Sequence, residues 1–544
     1  MNTRQLQTDK NQKLYHALLG ILLVCALAMM MLLSYWACKY SYYGAVDGRT
    51  RGVLVGDKTW AHIAVFLAAS LCAMGIDKVL MKKDKSQQEK ICLCTLIVTS
   101  VIAFILGVFY VCKNPYYPVG DQINTTAFAA YCRDGNFSML SIGGDVGMYQ
   151  QQKGLAILYE ILFTLFGDFN YRPAKILHVV WWILTILAGY GFLKLNTDRP
   201  VFRMLYCVMM LGCFPLLFYL PYIYGDVLSI SFGIILFYGV AAYEHSGQKR
   251  YIALASFAAG LAVLARKNTW IVLVAVAVYV LLVSLRKKKV RYLMAGTAIL
   301  LTAALSVKAV DVIYEVRSGY PSGVGIPSIL WVAMGLQETE GRAGVYNRYQ
   351  QATFTDYDCQ QELAAQQGKE YIRERLEEFS QDPGMAFNFF KNKVEGQWIE
   401  PMYAALESTE SFEEGAELSP VLESLYYGEL GRTIWKLTNY YQSILYLAGL
   451  MALVMLGILW WKKKEVPISL WLPWIAVFGG FLFSILWEAK SRYVFPYCVF
   501  MILYAPEGLY QTGLLLCKLP KLRKFKKSGH TQDKGEEASL RETA

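Results

Sequence analysis

Long apolar runs separated by short polar segments dominate this chain. Twelve of them have about 20 residues, which is enough for a helix to cross the hydrocarbon core of a bilayer. The pattern therefore predicts an all-α polytopic membrane protein with about 12 transmembrane helices. The predicted spans are 15–38, 59–80, 91–112, 172–195, 202–220, 226–243, 251–266, 269–285, 292–314, 440–461, 467–487 and 492–516.

Lysine and arginine indicate how these spans are oriented. If the N-terminus is cytoplasmic, the segments on that side hold 26 Lys and Arg, whereas the short loops on the other side hold 8. Cytoplasmic loops of membrane proteins carry such an excess. We therefore expect a multi-pass protein of the plasma (cell) membrane with both termini in the cytoplasm. The run Tyr15–Cys38 is too long for a signal-peptide core and is predicted to be a retained span.

One apolar segment does not fit the series of spans. Residues 154–167 are apolar but number only 14. Counting them as a span would invert every later loop and place the lysine-rich segments outside. We therefore predict an interfacial helix on the outer membrane surface.

The spans and loops divide the chain into five parts. The long outer segment is predicted to be mostly helical, with a break at Asp382-Pro383-Gly384 and no useful strand pattern. The parts are an N-terminal pair of transmembrane helices (1–90), a transmembrane module with its first outer loop at 113–171 (91–314), an extracytoplasmic helical domain (315–439), the C-terminal transmembrane helices (440–516) and a basic cytoplasmic tail (517–544).

Composition and charge narrow the class of protein. Only 17% of the residues are charged and 55% are hydrophobic, whereas soluble proteins carry about 25% charged residues. The net charge is +11, yet residues 315–439 hold 20 acidic and 10 basic side chains. The positive charges lie in short loops between spans, so nucleic acid is not an expected partner. Most of the 12 cysteines lie in apolar runs, and no pairing is assigned to Cys112, Cys132 and Cys359 on the predicted outer side.

The sequence lacks the motifs of several common classes of nucleotide-binding protein and hydrolase. The sequence contains no G-x-x-x-x-G-K-[ST], no H-E-x-x-H and no G-x-S-x-G, and its five histidines are isolated. No inner segment is large enough to hold a nucleotide, which argues against an ATP-driven pump and against a nucleotide-sugar donor. No cofactor is assigned, although a divalent metal stays open.

Polar candidates cluster at the predicted outer surface. Asp121 follows a span and precedes a helix-like stretch, so its carboxylate is either a general base or an N-cap. Asp226 in Tyr224-Gly225-Asp226 allows the same two interpretations. Gln122, Glu488 and Tyr493 are candidates to contact an acceptor or a sugar.

Cations occur at the same predicted surface. Arg266 and Lys267 occupy a very short outer turn, Arg492 lies between the last two spans, and Arg172 begins a span. Their outer position opposes the general charge trend. Binding of a phosphate group explains it, and so does snorkelling of the side chains to lipid headgroups.

Taken together, the pattern resembles the polytopic GT-C class of glycosyltransferases, in particular bacterial family-39-like enzymes such as protein O-mannosyltransferases and the aminoarabinose transferase of lipid A. The resemblance covers about 91–314 and 467–500. It rests on Asp121 in the first large outer loop, on Gly154 to Gly167 followed by Arg172, on Pro215 followed by Asp226, on Leu264-Ala265-Arg266-Lys267, and on Arg492-Tyr493 with Pro496.

The resemblance implies a GT-C-like fold and a reaction on the outer face of the membrane. Such enzymes move a sugar from a polyprenyl-phosphate lipid, here undecaprenyl phosphate, to an extracytoplasmic glycan, lipid or protein hydroxyl. Asp121 would be the general base of an inverting displacement. Asp226, also counted among the catalytic residues, would position the acceptor or a cation partner. Arg266, Lys267, Arg492 and Arg172 would bind the donor phosphate.

Other functions stay open at this stage. A polysaccharide polymerase or ligase would depend on arginines of the large loop, here Arg342, Arg348, Arg373 or Arg375. A lipid or solute transporter would need no Asp121. An interaction scaffold would depend on residues 315–439 alone.

Overall fold

The computed structural model describes residues 3–44, 52–464 and 466–518. The described chain is almost entirely helical. Its strands form two antiparallel hairpins, β1 (Tyr40–Tyr43) with β2 (Val53–Gly56) and β3 (Glu338–Thr339) with β4 (Arg342–Ala343). The sequence pattern had predicted neither hairpin.

The α-helices follow one another with short connections. The first part of the chain contains α1 (Thr3–Lys39), α2 (Thr59–Leu80), α3 (Lys85–Lys113), α4 (Asp121–Arg133), α5 (Asp145–Met148), α6 (Lys153–Phe166), α7 (Arg172–Asn196), α8 (Pro200–Leu211), α9 (Phe214–Phe218), α10 (Asp226–Ser246), α11 (Lys249–Ala265), α12 (Trp270–Lys287) and α13 (Val290–Ser318). The second part contains α14 (Ile329–Gly335), α15 (Tyr349–Asp356), α16 (Gln361–Gln381), α17 (Pro383–Trp398), α18 (Ala405–Ser408), α19 (Pro420–Tyr427), α20 (Glu429–Trp461), α21 (Leu472–Leu486) and α22 (Ser491–Met501).

Nine helical stretches of the described chain are long and apolar enough to cross a membrane. This confirms the prediction of an all-α polytopic membrane protein. The stretches are Lys10–Lys39, Thr59–Leu80, Lys85–Lys113, Arg172–Asn196, Asp226–Ser246, Lys267–Lys287, Val290–Ser318, Glu429–Trp461 and Ile468–Leu486.

The other three predicted spans are short or interrupted helices. The run 202–220 is divided into α8 and α9, because α8 ends at Gly212 and Pro215 in the first turn of α9 has no N–H to continue the earlier helix. The run 251–266 forms α11, which has 17 residues. The run 492–516 is divided after Met501, and the chain is helical again from residue 505. A count of twelve transmembrane helices therefore stays a prediction.

The segments predicted to be cytoplasmic lie together at one end of the bundle, which we call the basic end. Two ion-pair networks join them. Arg203 donates two hydrogen bonds to Glu89, at 2.6 and 2.9 Å. Glu244 accepts from Lys287 Nζ and from the backbone N–H of Ser469, both at 2.8 Å. These contacts bring parts of several predicted inner segments together, while the orientation of the spans stays a prediction.

The two large loops, 113–171 and 315–439, lie together at the opposite end, which we call the loop end. The Ile326 N–H donates to the Met148 carbonyl at 3.0 Å, and Arg317 forms an ion pair of 2.7 Å with Glu160. These contacts join a loop that follows α3 to one that follows α13. Both predicted outer segments therefore share one surface.

The short apolar segment is a helix, as predicted. It forms α6, which has 14 residues and packs against α4, α7, α11 and α13. Gly154 lies so close to α11 that a Cβ there would be 2.5 Å from the Leu264 carbonyl oxygen. Ile161, Leu165 and Phe166 at its other end are exposed. Its position at a membrane surface stays a prediction.

The segment 315–439 is helical in the predicted regions and is fastened to the connection between α21 and α22. Gln397 Nε2 donates to the Ser484 carbonyl at 3.1 Å, and Trp398 Nε1 donates to Ser484 Oγ at 3.0 Å. The Ala489 N–H donates to the Gly344 carbonyl at 2.6 Å. These bonds hold the helical segment directly over the residues that follow α21.

Candidate functional site

Side chains from distant parts of the sequence line a cleft at the loop end. The cleft has an empty volume of about 380 Å³, including the part open to solvent. Three segments meet there, because α10 begins, α11 ends and α22 begins at this level. Its polar lining includes Asp226, Arg266, Asn268, Arg492 and Tyr493.

Asp226 and Arg266 form a buried ion pair in this cleft. Arg266 Nη1 donates to Asp226 Oδ2 at 3.0 Å, and the two side chains are only 12% and 4% exposed. Gly225 is the N-cap residue of α10, and Asp226 is the first residue of the helix itself. The N-cap interpretation of Asp226 is therefore wrong for this structure, since its carboxylate is directed to an arginine.

A glycine allows this pair to form. A Cβ on Gly225 would lie 2.0 Å from the Ala265 carbonyl oxygen and 3.0 Å from Cγ of Arg266. Any larger residue would separate the start of α10 from the end of α11. The pair Gly225-Asp226 is thus matched to Ala265-Arg266 by close backbone contact.

Arg492 lies beside this pair without a carboxylate of its own. The residue is 6% exposed, and its guanidinium lies over the rings of Tyr222 at 5.1 Å and of Tyr224 and Tyr493 at 5.6 Å each. Its Nε is buried without a hydrogen-bond partner, and no other hydrogen bond or ion pair joins Arg492 to the described residues. A buried charge without a partner is costly, so this position is suited to an anionic ligand.

Two tyrosines connect the arginines. Arg266 also lies over the ring of Tyr224, at 5.0 Å, and over that of Tyr493, at 5.4 Å. The two guanidinium groups therefore face the same cleft. Burial raises the pKa of Tyr224, and the nearby charge of Asp121 raises it further. Its phenol consequently stays neutral and able to donate a hydrogen bond.

Asp121 is the exposed acid of the site. It is the first residue of α4 and follows the N-cap residue Gly120, which has a φ of 58°. Its charge acts on Arg266, Tyr224 and Glu488. The carboxylate is thus close to the cleft and is not occupied as an N-cap.

Glu488 is a second carboxylate near Asp121. It is 4% exposed, accepts a hydrogen bond of 3.4 Å from the Tyr493 hydroxyl and lies 3.7 Å from Lys490 Nζ. Burial raises the pKa of Glu488, Lys490 opposes this effect, and Asp121 adds to it. Two neighbouring carboxylates with different exposure suit proton transfer.

A buried lysine supports Glu488 from the helical segment above it. Lys393 of α17 donates to the Gly335 carbonyl oxygen and is 1% exposed. Burial lowers the pKa of Lys393 to about 7, and the charge of Glu488 opposes that shift. The segment 315–439 therefore reaches the site through this side chain.

Three predicted site residues lie apart from the cluster. Arg172 is exposed at the start of α7. Lys267 is exposed beside Asp311 and does not line the cleft. Gln122 is buried and accepts a hydrogen bond of 2.6 Å from the Tyr116 hydroxyl, one layer behind the ring of Tyr222. The structure therefore brings together Asp121, Asp226, Arg266, Arg492, Glu488 and Tyr493.

Sequence reasoning missed several residues of the site. Tyr222 and Tyr224 hold the arginines, Asn268 and Ser229 line the cleft, and Lys393 lies behind Glu488. The closely spaced tyrosines before Asp226 were a visible signal. No sequence signal marked Lys393, because its position near Glu488 depends on the packing of a distant helix.

Other chemistries find less support in the described residues. No group of three His, Cys, Asp or Glu side chains comes together there to hold a metal ion. Arg373 lies beside Glu370 and Glu377, and Arg375 pairs with Glu378. These arginines of the large loop are therefore already matched by acids.

Comparison with family models, with curated proteins and with solved structures found no match. The fold and the cleft define a polytopic membrane protein with a buried site of arginines, carboxylates and tyrosines at one end of its helix bundle. The function therefore has to be argued from that site.

Proposed function

We propose that the protein is an integral-membrane glycosyltransferase with a polyprenyl-phosphate-linked sugar as donor. The observation that carries this proposal is the buried Arg492, which has no counterion, beside the Arg266–Asp226 pair. A planar guanidinium matches the geometry of a phosphate oxygen pair. The exposed carboxylate of Asp121 lies near the same cleft.

The reaction follows as a single displacement. Asp121 takes the proton of an acceptor hydroxyl, whose oxygen attacks the anomeric carbon. The bond from that carbon to the phosphate oxygen breaks, and its electron pair leaves with the lipid phosphate. The configuration at the anomeric carbon is inverted. Arg492 and Arg266 stabilise the negative charge that develops on the leaving phosphate.

Asp226 has a positioning role in this scheme. Its carboxylate is occupied by Arg266 at 3.0 Å, so it is not available as the base. It holds the guanidinium in one orientation and balances one of the two positive charges. Arg492 is then the guanidinium without a carboxylate partner, and it is the group we assign to the donor phosphate.

The location of the cleft suits a lipid donor. It lies among the ends of helices that are long and apolar enough to cross a membrane, where the headgroup of a membrane lipid is found. The lysine- and arginine-rich segments lie at the other end of the bundle. By the positive-inside rule we place the cleft on the outer face.

Two other functions make different predictions. A lipid or solute transporter would keep its activity without Asp121. A polymerase or ligase would depend on arginines of the large loop, but Arg373 and Arg375 are exposed or paired with acids there. The transferase uses the unpaired Arg492 and the free Asp121 together, which is why we favour it.

The test uses purified full-length protein in lipid nanodiscs with radiolabelled undecaprenyl-phosphate sugars. We expect wild type to release undecaprenyl phosphate, and Asp121→Asn to bind the donor without releasing it. Asp134→Asn, at an exposed acid just after α4, is the matched control and should turn over normally. Normal turnover in Asp121→Asn would show that Asp121 is not the general base. If none of a broad panel of undecaprenyl-phosphate sugars binds, the transferase proposal is wrong and the transporter becomes the favoured function.

A further inference from the structure

A wall of aromatic rings stands beside the cleft. Trp331 of α14 and Trp487, directly after α21, are stacked with ring centroids 5.9 Å apart and planes 3° apart. Both residues are half-buried. One belongs to the segment 315–439 and the other to the connection that carries Glu488.

The wall continues in both directions from this pair. Phe483 stacks on Trp487 at 4.9 Å, and Tyr149 meets Trp331 edge to face at 6.2 Å. Tyr149 in turn interacts with Tyr346 and with the charge of Asp121. These five residues, Tyr149, Trp331, Tyr346, Phe483 and Trp487, are called the aromatic wall below. The wall therefore extends from the end of α21 to the proposed base.

The edge of the aromatic wall is polar. Lys490 Nζ lies 6.0 Å from the ring centroid of Tyr346, and Glu488 follows Trp487 in the chain. The side chains of Tyr149 and Tyr346 are hydrogen-bonded to each other. Trp487 lies between Phe483 and Trp331, whereas Trp331 and Phe483 are half-buried and keep exposed ring surface. The wall thus combines apolar ring surface with hydrogen-bonding groups at the rim.

We propose that the aromatic wall is the acceptor subsite, where it stacks the pyranose ring of an uncharged glycan. This inference rests on the proposed transferase function and adds the class of acceptor to it. A pyranose has a face of C–H groups that packs on aromatic rings and an equatorial edge of hydroxyls that needs polar partners. The wall offers both, and it ends beside Asp121.

Other acceptors fit this surface less well. An extended peptide needs a free strand edge, but the described strands of 315–439, β3 and β4, have two residues each and pair with each other. A hydrocarbon chain needs an apolar rim. An anionic polymer is repelled, because residues 315–439 hold 20 acidic and 10 basic side chains. An uncharged glycan needs neither a strand edge nor an apolar rim, and it is not repelled by the acidic segment.

The test measures equilibrium binding to the full-length protein in nanodiscs, so it does not depend on turnover. The probes are fluorescently labelled hexaoses of the cello, chito, malto and manno series, a threonine-rich hexapeptide and polyribitol phosphate. The variants are Trp331→Ala, Trp331→Phe and the control Trp60→Ala. Trp60 starts α2 and is 71% exposed, away from the aromatic wall.

We expect at least one hexaose to bind wild type and Trp60→Ala equally. Trp331→Ala should bind it about tenfold more weakly, since one aromatic stacking contact has that order of effect. Trp331→Phe should lie between them. Equal binding by Trp331→Ala, no binding of any hexaose, or preference for the peptide or the anionic polymer would each overturn the proposal.

Donor-lipid binding to the same variants shows that a loss is local, because Trp331→Ala should bind the donor as wild type does. The transferase function and the acceptor subsite can also be overturned independently of each other. Hexaose binding that depends on Trp331, without any donor turnover, would keep the aromatic wall and overturn the transferase. Donor turnover without hexaose binding would overturn the acceptor subsite alone.

Discussion

Arg266 and Arg492 lie against the same two tyrosine rings, yet only Arg266 has a carboxylate partner. Its ion pair with Asp226 is 3.0 Å long, whereas Arg492 makes no hydrogen bond or ion pair with the described residues. Of these two buried guanidinium groups, only Arg266 is engaged by a carboxylate, although the charges of Asp121 and Glu488 lie nearby. The predictions below follow from that difference and from the contacts that maintain it.

Removing the unpaired guanidinium should weaken donor binding. Arg492→Ala is expected to lower the affinity for an undecaprenyl-phosphate sugar by about 10- to 100-fold, the range for hydrogen bonds to a charged group. Arg492→Lys should lose less, because it keeps the charge but not the planar contact with the tyrosines. The measurement is the Kd of radiolabelled donor in nanodiscs. Arg432→Ala, at a side chain 55% exposed, serves as control, and an unchanged Kd in Arg492→Ala would contradict the phosphate site.

Breaking the buried ion pair should destabilise the fold more than removing both charges. Asp226→Asn leaves Arg266 buried and unpaired, which costs about 3–5 kcal/mol in comparable pairs. The double variant Asp226→Asn with Arg266→Gln should recover part of that loss. Thermal unfolding in detergent measures it. The exposed pair of Arg373 and Glu377, 3.9 Å apart, should contribute about 0–1 kcal/mol. Equal effects for the two pairs would rule out a special role for Asp226.

Gly225 should tolerate no side chain. Gly225→Ala would place a Cβ 2.0 Å from the Ala265 carbonyl oxygen, so α10 and α11 must separate and Arg266 must move. We expect a loss of stability of about 1–3 kcal/mol, typical of overpacking, and at least tenfold weaker donor binding, since each 1.4 kcal/mol is tenfold. Gly75→Ala within α2, where a Cβ would meet nothing within 4 Å, is the control. Normal donor binding by Gly225→Ala would show that this contact does not position Arg266.

Lys393 should make stability depend on pH. Burial lowers the pKa of Lys393 from its ordinary value of 10.5 to about 7 in the folded protein. Between these values the unfolded chain binds a proton that the folded protein does not, so this residue makes stability rise as the pH rises from about 7 to 10.5. Below pH 7 the folded protein carries the full cost of a buried ammonium.

Lys393→Met should remove this dependence. The difference in Tm between variant and wild type is therefore expected to be largest near pH 7 and to shrink towards pH 10. Thermal unfolding across that range measures it, with Lys391→Met, at a neighbouring side chain 37% exposed, as control. A constant difference would mean that Lys393 does not titrate in this window.

Much of the fold could be predicted because its signals are local. A run of about 20 apolar residues is stable in a bilayer as a helix, because the helix makes all its backbone hydrogen bonds within itself. Nine such stretches are helices in the described part of the chain. The break at Asp382-Pro383-Gly384 separates α16 from α17 as expected, since Asp382 caps α17 through the Met385 N–H. The three remaining runs were harder, because their hydropathy alone looks continuous. Pro215 follows a break in the run 202–220, the run 492–516 is interrupted after Met501, and α11 has only 17 residues.

Candidate site residues could be found because polar side chains at the ends of apolar runs are few. Asp121, Asp226, Arg266, Glu488 and Arg492 were all selected in that way. The same rule also selected Arg172 and Lys267, which lie outside the cleft. Nothing in a one-dimensional pattern distinguishes a cation that faces the cleft from one that faces a lipid or a neighbouring acid.

The sequence by itself therefore determined that the chain is a helical, multi-pass membrane protein, and it selected polar residues that the structure brings to the loop end. Only the tertiary structure decided that Asp226 pairs with Arg266, that Arg492 is left without a counterion and that Trp331 reaches Trp487. Hydropathy and charge act over a few neighbouring residues, so they can be read along the chain. An ion pair between residues 226 and 266, or a ring stack between 331 and 487, exists only after helices from distant segments have packed.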